Sequence, residues 1–107
     1  MRIRYTAAAR EDLRDLRRYL TSESGANVAV TSVGKIVADI SALKQHPGLM
    51  RPLSDKIARQ TKYKYFLCGK YSIAILAEMD TVISVIRIVD GRTDYAKSIF
   101  VDSVGVL

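Results

Sequence analysis

The sequence predicts an α+β domain: an N-terminal strand, an antiparallel helical hairpin, a three-stranded antiparallel meander and a short C-terminal helix. Three observations predict it. Apolar residues recur at helical spacing from Ala9 to Leu43, and at alternating spacing from Thr61 to Val89. One irregular, basic segment, Gly48 to Gln60, separates the two regimes. At 107 residues, with no low-complexity stretch, the chain suits one core and a single domain.

Residues 1–5 open the chain. "RIRY" alternates cationic and apolar groups, which suits a short strand with Ile3 and Tyr5 inward. The helical hairpin takes residues 6–46. Thr6 is placed to cap the first helix, in which Ala9, Leu13, Leu16 and Leu20 share a face. Glu11 and Asp12 fall toward its N-terminal end and Arg17 and Arg18 toward its C-terminal end, as the helix dipole favours. Glu11 with Arg14, and Asp15 with Arg18, are spaced to pair across one turn. Gly25 is a natural stop. The second helix carries Val30, Val33, Val37, Ile40 and Leu43 on one face, widened by Ile36, and ends at "QHPG". Helices joined so briefly pack antiparallel.

The meander takes residues 61–90. "TKYKYFL" alternates, "CGK" turns, "YSIAILAE" continues, "MDT" turns, and "VISVIRIV" closes the set. Residues 91–107 form the C-terminal segment, with a turn or short helix from Thr93 to Phe100. The hairpin is expected to cover one face of the sheet and to leave the other partly open.

Composition narrows the function. The formal charge is +6, spread along the chain, which favours contact with nucleic acid or an acidic protein. No apolar run long enough to span a bilayer is evident, and the charged start "MRIRYTAAARED" does not suit a signal peptide. With a single cysteine, Cys68, no internal disulfide forms, and these features together favour the cytoplasm. One His and one Cys make a zinc site unfavourable, and the phosphate-loop and dinucleotide fingerprints are missing, so no metal or cofactor is expected. A Cys68–His46 dyad has nothing to orient it, since Cys68 falls in an expected tight turn and His46 before a helix-ending proline. In "KYKYFLCGKY", Lys62 and Lys64 share one strand face, and Tyr63 and Tyr65 the other. Lysines facing phosphates and rings stacking on bases would suit RNA. Tyrosines in the core with solvated lysines is the simpler reading, because any half-buried strand alternates in this way.

The end of the last strand, "RIVDGRTDY", resembles the RelE/ParE superfamily of bacterial toxins, and its ParE branch most. Arg87, Ile88, Val89, Gly91, Arg92 and Asp94 fit that pattern, while Asp90 stands where histidine is usual. "AAREDLRDLRRYL" is similar to the family's first helix, "LKQHPGLMR" to its helix-ending proline and following arginine, and "YKYFLCGKYSIAI" to its hairpin. The likeness runs from about Ile3 to Phe100.

The resemblance implies a type II toxin silenced by a cognate antitoxin in a hetero-oligomer. ParE-like members poison DNA gyrase; RelE-like members cut mRNA in the ribosome. Ser72 follows Tyr71 where RelE-like toxins often carry arginine, and Asp90 replaces an imidazole with a negative charge. The expectation is therefore a non-catalytic gyrase inhibitor, with target contacts from Arg51, Arg87, Arg92, Tyr95 and Lys97. The antitoxin is expected on Leu13, Leu16, Leu20 and Tyr71. The alternative is an endoribonuclease using Arg92, Tyr95, Lys62 and Lys64, with Tyr95 as a base whose pKa is lowered by Arg92 or Lys97. A basic nucleic-acid-binding module without toxicity is a third reading. Arg92 and Asp94 also suit a simple turn pair, and Arg87 a strand arginine facing the open sheet or paired with Glu78 or Asp90.

Overall fold

Thr6 ends the first strand and starts the first helix with the same side chain. Its Oγ1 accepts the Ala9 N–H at 3.1 Å and donates to the Ile86 carbonyl at 2.8 Å. Strand β1 (Arg2–Tyr5) precedes it and helix α1 (Ala7–Ser24) follows. The computed structural model describes residues 1–57 and 60–91. The expected C-terminal helix from Thr93 to Phe100 lies outside the described residues.

As the alternation predicts, Ile3 and Tyr5 are half-buried and Arg2 and Arg4 exposed. Burial raises the Tyr5 phenol pKa, with the Cys68 thiol adding to the rise. On α1, Ala9 is fully buried, and Leu13, Leu16 and Leu20 half-buried. Arg14 bonds Glu11 at 2.8 Å and Arg18 pairs with Asp15, as the spacing predicts. The dipole expectation does not hold. Because α1 starts at Ala7, Glu11 and Asp12 lie in its second turn, and no basic residue falls in its last turn.

Gly25 alone links α1 to helix α2 (Ala26–Ser41). Its φ of 95° lies in the region that glycine tolerates, and so short a link folds the helices back on one another. The buried stripe of α2 is Ala29, Ile36, Ile40 and Leu43, the last in a 3-10 turn (Ala42–Lys44) that tightens the helix end. Val30 and Val37, expected on this face, are 55% and 39% exposed. The contact face is rotated toward Ala29, which leaves those valines on the flank. The stretch Ala26–Lys44 also corrects the expectation about apolar runs. At 19 residues and a mean hydropathy of 1.3, it is long and apolar enough to cross a membrane by those two measures. In this fold it is the hairpin's second arm, with four residues in the core.

The sheet has five strands in the order β1-β5-β4-β3-β2. The meander supplies β3 (Lys64–Cys68), β4 (Ser72–Met79) and β5 (Val82–Asp90), antiparallel throughout. β1 joins β5 in parallel, with the meander and the hairpin between them in sequence. The segment from Gly48 to Gln60, expected to be irregular, contributes β2 (Arg51–Pro52), a strand of two residues on the β3 edge, and a 3-10 turn (Leu53–Asp55). Pro52 carries no N–H for a ladder, so β2 fits only at an edge. Cys68 is the last residue of β3, not part of the turn, and is 1% exposed.

Two apolar clusters lie on the two sheet faces. Beneath the hairpin, Ile36, Ile40 and Leu43 cluster with Cys68, Ala74, Leu76, Ile83, Val85 and Ile88. On the other face Leu53 and Ile57 cluster with Tyr65, Ile75 and Val89. That second face, expected to be partly open, is thus covered by the strap around Leu53. The simpler reading of the tyrosines holds for Tyr65, which is 8% exposed.

Candidate functional site

The hairpin does not cover the whole sheet. At the end where β3 stops and β4 starts, a groove of about 500 Å³ remains between the helices and the sheet. α1 supplies Leu16 and Leu20, α2 supplies Thr31, Ser32, Lys35 and Ile36, and the β3–β4 turn supplies Gly69, Lys70, Tyr71 and Ser72. Asp90, the last residue of β5, closes it. Apolar side chains line its wall from the helices, and Lys35, Lys70 and Asp90 are the charged groups around it.

The turn is held in place from both sides. Gly69 has φ 60°, and a Cβ there would come within 2.7 Å of Ile36 Cγ1, so the residue must be glycine for the turn to approach α2 this closely. Its N–H donates to Asp39 Oδ2 at 2.7 Å, and Lys35 Nζ reaches Asp39 Oδ1 at 2.9 Å. The Lys35 hydrogen bond lowers the Asp39 pKa, against opposing desolvation, and the Gly69 N–H lowers it further. On the far side, the Gly91 N–H donates to the Tyr71 carbonyl at 2.8 Å. Tyr71 is 47% exposed, with Lys70 Nζ 5.4 Å from its ring centroid.

Three of the four residues expected to meet an antitoxin therefore share one wall: Leu16, Leu20 and Tyr71. Leu13 does not join them. It lines a separate groove with Ile3, Tyr5 and Val37. Sequence reasoning missed Lys35, Asp39 and Asp90 as parts of the larger groove, although Lys35 and Asp39 at i, i+4 were a readable pair.

The expected target contacts scatter. Arg51 is exposed on β2. Arg87 is paired with neither Glu78 nor Asp90 in the bonds seen here; its Nε and Nη2 donate to Asp12 at 2.8 and 2.9 Å, and this fork raises its pKa against the opposing effect of burial. The reason is a bulge. The β5 register steps from Arg87 opposite Ile75 to Val85 opposite Leu76, leaving Ile86 as an extra residue. β1 ends just short of this point, and α1 takes over: Thr6 bonds the Ile86 carbonyl, and Asp12 accepts the Ile88 N–H at 2.9 Å. Arg92, Asp94, Tyr95 and Lys97 lie outside the described residues.

The residues expected for RNA cleavage are placed as follows. Lys64 Nζ is 2.7 Å from Glu78 Oε1, so that lysine is committed to an ion pair. Lys62 is exposed, 6.0 Å from the Tyr63 ring centroid. The Cys–His dyad fails on chemistry: burial first, then the charge of Asp39, pushes the Cys68 thiol up to about 12, where it is neutral at ordinary pH.

Comparison with known proteins gives two positive results. A model of the ParE toxin family, described as the ParE toxin of type II toxin-antitoxin system, parDE, matches residues 3–95. Among solved structures, the fold is similar to a chain of the chromosomal ParDE TA system from P. aeruginosa. The TM-score is 0.71 at 18% identity, covering 85% of this chain and 95% of that one. No curated protein sequence matches.

Proposed function

The chain belongs to the ParE toxin family of type II toxin-antitoxin systems, and from that premise we propose that it acts in the cytoplasm as an inhibitor of DNA gyrase, silenced by a cognate antitoxin. The observation that supports this most is the groove at the sheet end. Leu16, Leu20 and Ile36 present an apolar wall, Tyr71 stands half-exposed across from them, and lysines flank it. Such a trough suits an amphipathic helix laid in by its apolar face. Its titratable lining groups are Lys35, Lys70, Tyr71 and Asp90, a set suited to recognition.

The non-catalytic reading is favoured over the ribosomal nuclease because Lys64 is paired with Glu78. Asp90 also places a negative charge at the strand end where a phosphate would have to approach. Neutralisation would then work by occlusion, since the groove borders Asp90 and Gly91, from which the basic segment carrying Arg92 and Lys97 departs.

The deciding experiment is gyrase supercoiling with purified protein. Inhibition relieved by the antitoxin is the expected result. Intact supercoiling together with cut transcripts in translating ribosomes would replace this reading with the nuclease. In the same assay Leu20→Asp is expected to inhibit gyrase still, yet to resist rescue by the antitoxin.

A further inference from the structure

The second groove lies on the opposite flank, between β1 and the hairpin. It encloses about 470 Å³ and is lined by Ile3, Arg4, Tyr5, Arg10, Leu13 and Val37. Three features of it converge. The first is a backbone edge. β1 is the outermost strand of the sheet, with β5 on one side only. The Arg2 N–H donates to Thr81 O and the Thr6 N–H to Val85 O, so the even residues face β5. Strand groups alternate, so the N–H and C=O of Ile3 and Tyr5 face away from the sheet. The second is an apolar floor made by Leu13 and Val37, the latter 39% exposed and unexplained by the core. The third is a cationic rim. Arg4 and Arg10 are exposed, and neither forms an ion pair among the described residues.

We propose that this groove docks an extended segment of the antitoxin, added as a strand along β1, with acidic side chains toward Arg4 and Arg10 and aliphatic ones toward Leu13 and Val37. The inference rests on the toxin reading for its partner, and names a second station distinct from the helix-binding trough. Strand addition supplies main-chain hydrogen bonds, and alternate side chains supply the selectivity. A second copy of this chain is a poor occupant. Pairing two β1 edges would bring Arg2 and Arg4 of both copies together, and like charges across a strand pair are unfavourable. The same arginines blunt the edge until an acidic strand arrives.

The test uses the full chain and a labelled eight-residue peptide alternating Glu and Val. Fluorescence anisotropy is expected to show binding that weakens with salt, that a Lys/Val peptide does not reproduce, and that Arg4→Glu with Arg10→Glu weakens by about tenfold or more. Amide hydrogen exchange is expected to slow at Ile3 and Tyr5 when the Glu/Val peptide is added. Val37→Asp, whose side chain is already partly in water, provides a second variant that keeps the fold and is expected to lose the peptide. Leu20→Asp, in the other groove, is expected to keep it. Binding that leaves the Ile3 and Tyr5 amides unprotected would overturn the proposal, as would indifference to the arginine changes or self-association through β1. None of these readouts involves gyrase, so loss of the supercoiling effect with peptide docking intact would remove the toxin reading alone.

Discussion

On one face of the sheet, two long helices supply Ile36, Ile40 and Leu43 to a cluster spanning β3, β4 and β5; on the other, a strap without a single long element supplies Leu53 and Ile57. Both faces bury their central residues completely, Leu76 on the first and Ile75 on the second. The difference lies in what holds the cover down. The hairpin is fixed by its own hydrogen-bonded helices, by Thr6 and Asp12 at the β5 bulge, and by Asp39 at the β3–β4 turn. The strap is fixed by β2, two residues long, and by the Leu53 N–H to Tyr63 O bond at 3.0 Å. Cooperative stability should therefore reside in the first face, with local opening in the second.

The largest effect expected is on the hairpin side. Ile40→Ala empties a fully buried site between helix and sheet, and should cost about 4 kcal/mol in denaturant unfolding, lowering the midpoint for the whole chain. A similar loss from a surface change such as Lys44→Ala would break the comparison. Next comes Asp12→Ala, which removes both bonds to Arg87 and the acceptor for the Ile88 N–H, and should cost about 2–3 kcal/mol. Asp12→Asn, which keeps one acceptor oxygen, should recover part of it.

On the strap side, Leu53→Ala should cost about 2 kcal/mol, the low end for a buried leucine, because the short cover can settle into the space. Its sharper signature is hydrogen exchange. The amides from Leu53 to Ile57 should exchange faster while those of α2 keep their protection. If α2 loosens equally, the two faces form one cooperative unit and the contrast fails. Thr6→Ala is smaller again, about 1 kcal/mol for the lost cap, with the freed Ile86 carbonyl adding to it.

This contrast also explains what the sequence could reveal. The hairpin and meander were legible because each repeats a period over many residues: Leu13, Leu16 and Leu20 on α1, and the alternation through β3 to β5. The strap was not, because Leu53 and Ile57 form no period with their neighbours, and a strand of two residues containing Pro52 carries no strand signal. The rotation of α2 that exposes Val30 and Val37 depends on what α2 packs against, which periodicity alone does not specify. The larger groove was half legible. Leu16 and Leu20 were visible as a stripe, but Asp90 joins them only through the order of β3, β4 and β5 in the sheet. The Asp12–Arg87 fork, 75 residues apart, depends on a bulge that no local pattern announces.

The smallest effect expected is also the most specific, because it concerns the one carboxylate that ties the hairpin to the turn beside the groove. The folded protein holds the Asp39 pKa below its unfolded value, chiefly through Lys35 and partly through the Gly69 N–H. A carboxylate shifted downward binds its proton more weakly in the folded state than in the unfolded one. Its contribution to stability is therefore fully present above the unfolded value, about 3.9, and is lost as the pH falls through the lower folded value. Asp39→Asn removes the titration but retains an acceptor for Gly69. Stability of the parent chain should thus fall more steeply than that of the variant below about pH 4, with the two curves running parallel at neutral pH. The side chain is partly exposed, so added salt should narrow the gap. Curves that stay parallel down to pH 2 would mean that the Lys35–Asp39–Gly69 link does not hold the turn. In that case the Ile36–Gly69 approach alone would set the floor of the groove, and Gly69→Ala would become the decisive substitution.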